Sequence, residues 1–226
     1  MERNAHTLFI SLVIGILFLF NYSCKKDEIS DQSEGWVSDI DGNVYKTLKL
    51  GDQIWMCENL KVKRFKDGTV IETTEGIAQD LTLIEKPNFQ WAYEGNEDNA
   101  NNYGRLYTWY AIVDTCGICP EGWRVPGDRD WTILTNFAGG ENSALKKLIE
   151  LGFNPQYGGL RIYDFFDNLD QFGYFWSNTY VDEDSYPGIM PETQVYVRII
   201  GSGYLDVYRD SKNVKSGFSL RCIKDE

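Results

Sequence analysis

The sequence is almost without histidine: the single one, His6, sits in the opening segment MERNAHTLFISLVIGILFLFNYSC. That segment has the anatomy of a secretory signal, with Arg3 near its start, an apolar run from Leu8 to Phe20, and small Ser23 before Cys24. Its removal leaves a mature chain with no imidazole. Ser-His-Asp and Cys-His nucleophilic systems are then excluded, as are histidine-bound zinc or non-haem iron and imidazole acid–base chemistry. Any catalysis must run on carboxylates, Lys, Tyr or Cys. A long hydrophobic run is also missing, because about 13 apolar residues fall short of the roughly 20 that span a bilayer. Positive charge is scarce: 22 Lys and Arg face 34 Asp and Glu, for a formal net charge of -12, and no Lys/Arg cluster offsets it. This argues against binding nucleic acid or anionic head groups through a basic surface. No internal repeat of about 20 to 50 residues is visible.

Behind the apolar run, Asn21-Tyr22-Ser23-Cys24 resembles a bacterial lipobox, which implies lipidation of Cys24 as the mature N-terminus, with residues 1–23 as the signal. Lys25-Lys26-Asp27-Glu28 resembles the export signal that sends Bacteroidetes lipoproteins to the outer face of the outer membrane. Acyl chains hold such a protein through about 0.8 kcal/mol per buried methylene. Residues 24–34 are nearly devoid of apolar content and read as a flexible tether. The remaining residues, 35–226, suffice for one well-cored domain of about 190 residues.

Within that domain, WVSDI, VYKTLKL and IWMCENL alternate with the turn signals Asp41-Gly42-Asn43 and Gly51-Asp52-Gln53 and predict a β-meander. A second Asp-Gly turn, Asp67-Gly68, separates KVKRF from TVIET. The period then changes. Leu106, Trp109, Tyr110 and Val113 fall at i, i+3, i+4 and i+7 and predict an amphipathic helix. Trp131, Leu134, Phe137 and Ala138 predict a second, with Asp128 as N-cap and Gly139-Gly140 as stop, and SALKKLIEL a third that ends at Gly152. A long loop-rich stretch is expected from Asn154 to Phe172. GYFWSNT, QVYVRII, YLDVYRD and GFSLRCI then read as strands, the last with Phe218, Leu220 and Cys222 on its buried face. The order strands, helices, strands predicts an α+β fold with helices on one side of a mainly antiparallel sheet.

Without Cys24, four cysteines remain, Cys57, Cys116, Cys119 and Cys222, and they allow three pairings. Cys116 and Cys119 form a C-x-x-C. A thioredoxin-type centre would start a helix there, but Pro120-Glu121-Gly122 follows. A four-Cys zinc site needs a second knuckle, and export favours disulfides.

The blocks DIDGNVYKTLKLGDQIWMCENLK, KDGT, YGRLYTWYA, CPEGWRVPGDRDWTILTNFAGG, GFNPQYGGLR, GYFWSNT and KSGFSLRC resemble, in order, the Fibrobacter succinogenes major paralogous domain, a family similar in fold to C-type lectins. The resemblance spans Trp36 to Ile223 and implies a C-type-lectin-like fold with two to three helices and long loops. It also implies that Cys119 pairs with Cys222, the family's recurrent two, closing a loop of about 100 residues worth up to about 4.7 kcal/mol. Cys57 and Cys116 are then expected to form a second bridge. The chain departs from the family pattern at Arg124, often His, at Gly127, often Thr or Ser, at Asp130, often Glu, and at Cys57, usually Ala. The Gly127 and Asp130 changes weaken the expected capping box before the second helix.

The Gly122–Pro126 stretch also resembles one in formylglycine-generating and related oxidases, whose late cysteine pair or histidine-bound iron this chain lacks, so it reads as a fold element. Lys86-Pro87-Asn88 and Trp176-Ser177-Asn178-Thr179 lack the acidic residues of lectin calcium loops. The runs Glu94/Glu97/Asp98, Asp164/Asp167/Asp170 and Asp182/Glu183/Asp184 could supply oxygens to a structural calcium, but no metal or other cofactor is predicted. No catalytic residue stands out either, and no carboxylate pair is singled out for an envelope hydrolase. The expectation is a lipid-anchored binding or adhesion domain on the outside of the outer membrane, with a glycan or a cell-surface protein as ligand. Tyr157, Arg161, Tyr163, Tyr180 and Tyr186 are the candidate contacts. A carboxylate-based hydrolase of the cell envelope and a purely structural envelope component are the alternatives, and the sequence carries no sign of a particular oligomeric state.

Overall fold

The computed structural model describes residues 34–74, 81–182 and 193–225, all within one unit that runs from Asp31 to Glu226. The meander forms as its turn residues dictate. Strands β1 (Glu34–Ser38) and β2 (Val44–Leu50) pair antiparallel across a turn in which the Asp39 carboxylate accepts from the Asp41 and Asn43 amides at 3.0 Å. β2 then pairs with β3 (Gln53–Met56). The Asp67-Gly68 turn closes as well, through the Gly68 amide on the Phe65 carbonyl, but its flanks contribute only an isolated Arg64–Val70 bridge.

The middle of the chain carries β4 (Gln90–Trp91), α1 (Glu97–Tyr103), β5 (Leu106–Tyr107), α2 (Trp109–Ile112), β6 (Trp123–Arg124), α3 (Asp128–Phe137) and α4 (Ala144–Glu150). The stripe from Leu106 to Val113 is therefore not one helix. Leu106 and Tyr107 pair with Trp91 and Gln90 in a two-stranded ladder, and the Tyr107 amide donates to Phe218. Only the turn from Trp109 to Ile112 is helical. Helix α3 begins one residue away from the expected position: Gly127 is the N-cap and Asp128 lies in the first turn. Half of a capping box survives, since Asp130 accepts from the Gly127 amide at 2.7 Å.

β7 (Gly158–Ile162), β8 (Phe165–Leu169), β9 (Phe172–Tyr180), β10 (Gln194–Gly201), β11 (Tyr208–Asn213) and β12 (Ile223–Lys224) complete the fold. The stretch expected as loop from Asn154 to Phe172 is instead the β7–β8 hairpin. Its closeness depends on Gly159, where a Cβ would sit 2.5 Å from the Asp167 carbonyl oxygen. Two five-stranded sheets result, in the orders β1-β2-β3-β12-β6 and β11-β10-β9-β7-β8. Among the described residues the named strands pair antiparallel except β7 with β9, and the isolated bridges Glu72–Phe89 and Phe175–Ser219 are parallel as well. Two sheets and short helices are an α+β arrangement, but the helices do not cover a single sheet as expected.

Neighbouring residues point into different cores. Trp55 and Phe175 join Trp131, Leu134, Leu145 and Leu148, while Met56 and Trp176 join Tyr45, Tyr107, Phe218, Leu220 and Cys222. Cys222 is fully buried, as its strand pattern predicts, but so are Ser219 and Arg221 between its partners. The final run is enclosed on both faces.

Cys119 and Cys222 form a disulfide. The second bridge does not form: Cys57 and Cys116 are thiols. Cys57 lies in the core with Trp55 and Trp131, whereas Cys116 packs against the other core. Their positions on separate cores account for the missing bond.

The first turn of α3 anchors the second sheet. Asp128 accepts from Arg198 at 2.6 Å and from both Nε and Nη2 of Arg209 at 3.0 Å, with Arg198 fully buried. The Arg209 guanidinium lies 3.7 Å from the centre of the Tyr196 ring. Partial burial alone would raise the Asp128 pKa, but the hydrogen bonds from Arg209 and Arg198 outweigh it and hold the carboxyl below its ordinary value. A depressed folded value means the contribution is complete above the unfolded pKa of about 3.9 and is lost as pH falls through the folded one. Asp128→Asn should cost about 3 kcal/mol at neutral pH by leaving Arg198 buried without its carboxylate. The gap to wild type in denaturant unfolding should narrow below about pH 4; an equal gap on both sides of that pH would refute the linkage. Cys119→Ser with Cys222→Ser opens a loop between residues 103 apart and should cost about 2–5 kcal/mol in the same assay.

Candidate functional site

The disulfide loop forms one side of an open cleft of ≈ 320 Å³. Its lining comes from Val113 and Asp114 after α2, Gly117 to Cys119 of the loop, Trp123 to Val125 of and after β6, Asn178 of β9, and Lys66. Each part has a local cause. The Cys116 amide donates to Asp114 Oδ1 at 2.9 Å, and Asn88 Nδ2 donates to Asp114 Oδ2 at 2.8 Å, so this carboxylate holds its own loop. The Lys66 amide donates to the Gly117 carbonyl at 2.8 Å. Gly117 takes φ +72°, and a Cβ there would lie 2.5 Å from the Lys66 Cε atom. The chain then turns at Pro120, whose carbonyl accepts from the Trp123 amide. The disulfide fixes the loop to the carboxyl-terminal run beside β12.

Arg124 is held in two places. Its Nη1 and Nη2 donate to the two oxygens of Asp130 at 2.6 and 2.9 Å, and Asp225 lies 3.8 Å from its Nε. Asn178 is exposed; its backbone N–H donates to the Pro126 carbonyl at 2.9 Å, its Nδ2 to the Val125 carbonyl at 3.4 Å, and its Oδ1 accepts from the Thr179 hydroxyl at 3.3 Å. The β9–β10 ladder is irregular between Val195 and Val197, a feature that re-aims side chains, and Asn178 lies within the β9 segment between the flanking pairs at Trp176 and Tyr180. The cleft thus offers a half-buried indole, a carboxamide and a guanidinium edge. Such a set stacks against a ring and exchanges hydrogen bonds with hydroxyls.

The predicted contacts are dispersed. Tyr180 is 41 % exposed and packs against Trp109, ring centres 4.6 Å apart and planes tilted by 50°, two residues from Asn178. Tyr163 is 59 % exposed and lines a different cavity of ≈ 370 Å³ with Ile162, Thr193, Asn213 and Lys215. Tyr157 is half-buried against the core of Trp131 and Phe175. Arg161, in β7, is buried, with its guanidinium 4.3 Å from the centre of the Trp91 ring, a cation–π placement that its planar head favours. Tyr186 and Cys24 lie outside the described residues. Sequence reasoning passed over Trp123, Asn178, Lys66 and Asp114. The signal was available in Gly122–Pro126 and Trp176–Thr179, two family blocks that meet here.

Among the described residues, no three His, Cys, Asp or Glu side chains gather into a group that could hold a metal ion. Glu97 instead binds Arg105 and Lys63, and Asp182 accepts from the Tyr196 hydroxyl. At the cleft, hydrogen bonds to the Asp67 and Asp114 carboxylates push the Cys116 thiol up to about 11. A thiol so protonated is a weak nucleophile at neutral pH. Iodoacetamide labelling of Cys116 should be slow at pH 7, rise about tenfold per pH unit through pH 10, and quicken at pH 8 in Asp67→Asn. Fast labelling at pH 7 would contradict this.

The family described as the Fibrobacter succinogenes major domain matches residues 48–224, a span that begins within β2, ends with β12 and contains every residue of the cleft. No curated protein and no solved structure matches the chain. The match covers most of the sequence and all of its disulfide framework, and on that ground the chain belongs to the Fibrobacter succinogenes major domain family.

Proposed function

We propose that the protein is a non-catalytic binding domain with a C-type-lectin-like fold, held on the outer surface of the outer membrane by lipid on Cys24, that takes a glycan in the cleft over the disulfide loop. The observation that carries the reading is the cleft's composition: Trp123, Asn178 and Arg124 line one opening. A ring, an amide and a fixed cation edge suit a polyhydroxylated ligand. The nearby carboxylate, Asp114, is engaged by Asn88 and the Cys116 amide, and the thiol is held protonated, so neither is poised as base or nucleophile.

A glycan array with the mature chain, with and without EDTA, tests this. Binding should survive EDTA and weaken about tenfold or more in Trp123→Ala, as loss of a buried aromatic anchor does, with Asn178→Ala as a milder second variant and circular dichroism as the folding control. No bound glycan under either condition would overturn the glycan reading, and hydrolysis of any array substrate would overturn the non-catalytic one.

A further inference from the structure

A second cavity, of ≈ 330 Å³, is lined mostly by charged side chains. Lys61, Lys63 and Arg64 enter from the chain after β3, Arg105 from the residue pair beyond α1, and Asp41 and Glu97 face them. Four cations thus meet two carboxylates, in a chain whose formal net charge is -12. The sequence expectation of no basic cluster fails here because the fold adds Arg105 to a run that also carries Lys61, Lys63 and Arg64.

Both carboxylates are already committed. Asp41 accepts from the Lys63 amide at 2.6 Å and from Arg64 Nη1 at 2.8 Å. Glu97 Oε2 accepts from Arg105 Nη2 and from Lys63 Nζ, the latter at 3.1 Å. Arg105 is buried, and its other groups donate to the Gln90 side chain at 2.7 Å and to the Lys61 carbonyl at 3.2 Å. The Lys61 ammonium has no carboxylate within ion-pair distance among the described residues. Positive charge therefore remains on Lys61 and in part on Lys63, which shares Glu97 with Arg105.

From this we infer that the cavity is a binding site for a small carboxylated sugar, separate from the cleft over the disulfide loop. Lys61 and Lys63 receive the carboxylate as compact point charges. Asn43 and Asn101, also in the lining, offer carboxamides to hydroxyls. The size sits at the low end of the range of about 300–1,000 Å³ for small-molecule pockets, which suits one sugar residue. Among the described residues no aromatic ring lines it, so recognition is by charge and hydrogen bonding. The carboxylates of Asp41 and Glu97 favour a monoanion over a phosphate dianion, because like charges nearby penalise the second negative charge. Lys63 is about half exposed, so the interaction is screened by salt.

Calorimetric titration of the full chain with D-glucuronate and D-galacturonate tests the inference, with D-glucose, inorganic phosphate and phosphatidylglycerol vesicles as comparison arms. A uronate should bind saturably, weaken with added salt, and lose about tenfold or more in affinity in Lys61→Gln with Lys63→Gln, while D-glucose gives no binding and circular dichroism stays unchanged. Trp123→Ala should leave uronate binding intact, which separates this site from the first cleft. The proposal falls if neither uronate binds, if D-glucose binds as well, or if the lysine variant binds like wild type. It also falls if phosphate or vesicles bind through the two lysines and the uronates do not, or if Trp123→Ala abolishes the uronate signal.

Discussion

Arg221 is fully buried, and among the described residues no carboxylate lies within ion-pair distance of it. Its Nε donates to Asn59 Oδ1 at 2.9 Å and its Nη2 to the Asn154 carbonyl, and its plane lies over Phe153 at 4.1 Å. Burial pulls the guanidinium pKa down to about 10. Asn59 completes the node: its amide group donates to the Tyr103 carbonyl, the Gln156 carbonyl and the Ser219 hydroxyl, and its backbone N–H donates to Gln156 Oε1 at 2.6 Å. An unsolvated cation is costly unless its hydrogen bonds are met. The node therefore requires the segment after β3, the end of α1, the residues before β7 and the final run to arrive together.

That requirement reaches the cleft through a few bonds. Arg221 neighbours Cys222, Cys222 is joined to Cys119, and Cys119 floors the loop from Asp114 to Trp123. The node draws the final run inside the fold, where the Ser219 and Phe218 amides donate to Tyr174 and Tyr107. The disulfide then transmits that position to the loop. A covalent link between residues so far apart in sequence limits the unfolded chain and leaves the loop short of freedom, which suits a preformed binding surface.

Charge is sorted by depth. Among the described residues four arginines, Arg105, Arg161, Arg198 and Arg221, are buried, against one carboxylate, Asp39. Arginine suits these positions because its planar head can stack on rings and divide its donors among several acceptors. Arg198 and Arg209 share Asp128 at the start of α3, and Arg105 shares Glu97 with Lys63. Where sharing leaves cations over, a basic cavity opens on an acidic protein.

Local rules were legible. The Asp-Gly turns, the first meander, the stop of α3 at Gly139-Gly140 and the end of α4 near Gly152 depend on backbone preferences within a few residues. The family blocks placed Cys119 opposite Cys222. The stripe from Leu106 to Val113 misled, because its spacing fits a helix by chance while Tyr107 is claimed by Phe218, 111 residues later by their numbers in the chain. The β7–β8 hairpin was hidden because its strand begins with glycines that only close approach explains. Arg161 looked like a surface contact since no local signal reveals a distant Trp91. The candidate sites were the least legible part: Trp123 with Asn178, and Lys61 with Arg105, are neighbours only after the sheets form. The sequence by itself determined the turns, the stops of α3 and α4 and the membership of a family. Tertiary structure alone decided which cysteines stay thiols, which arginines go inside and where clefts open, because those outcomes depend on contacts between residues tens to hundreds of positions apart.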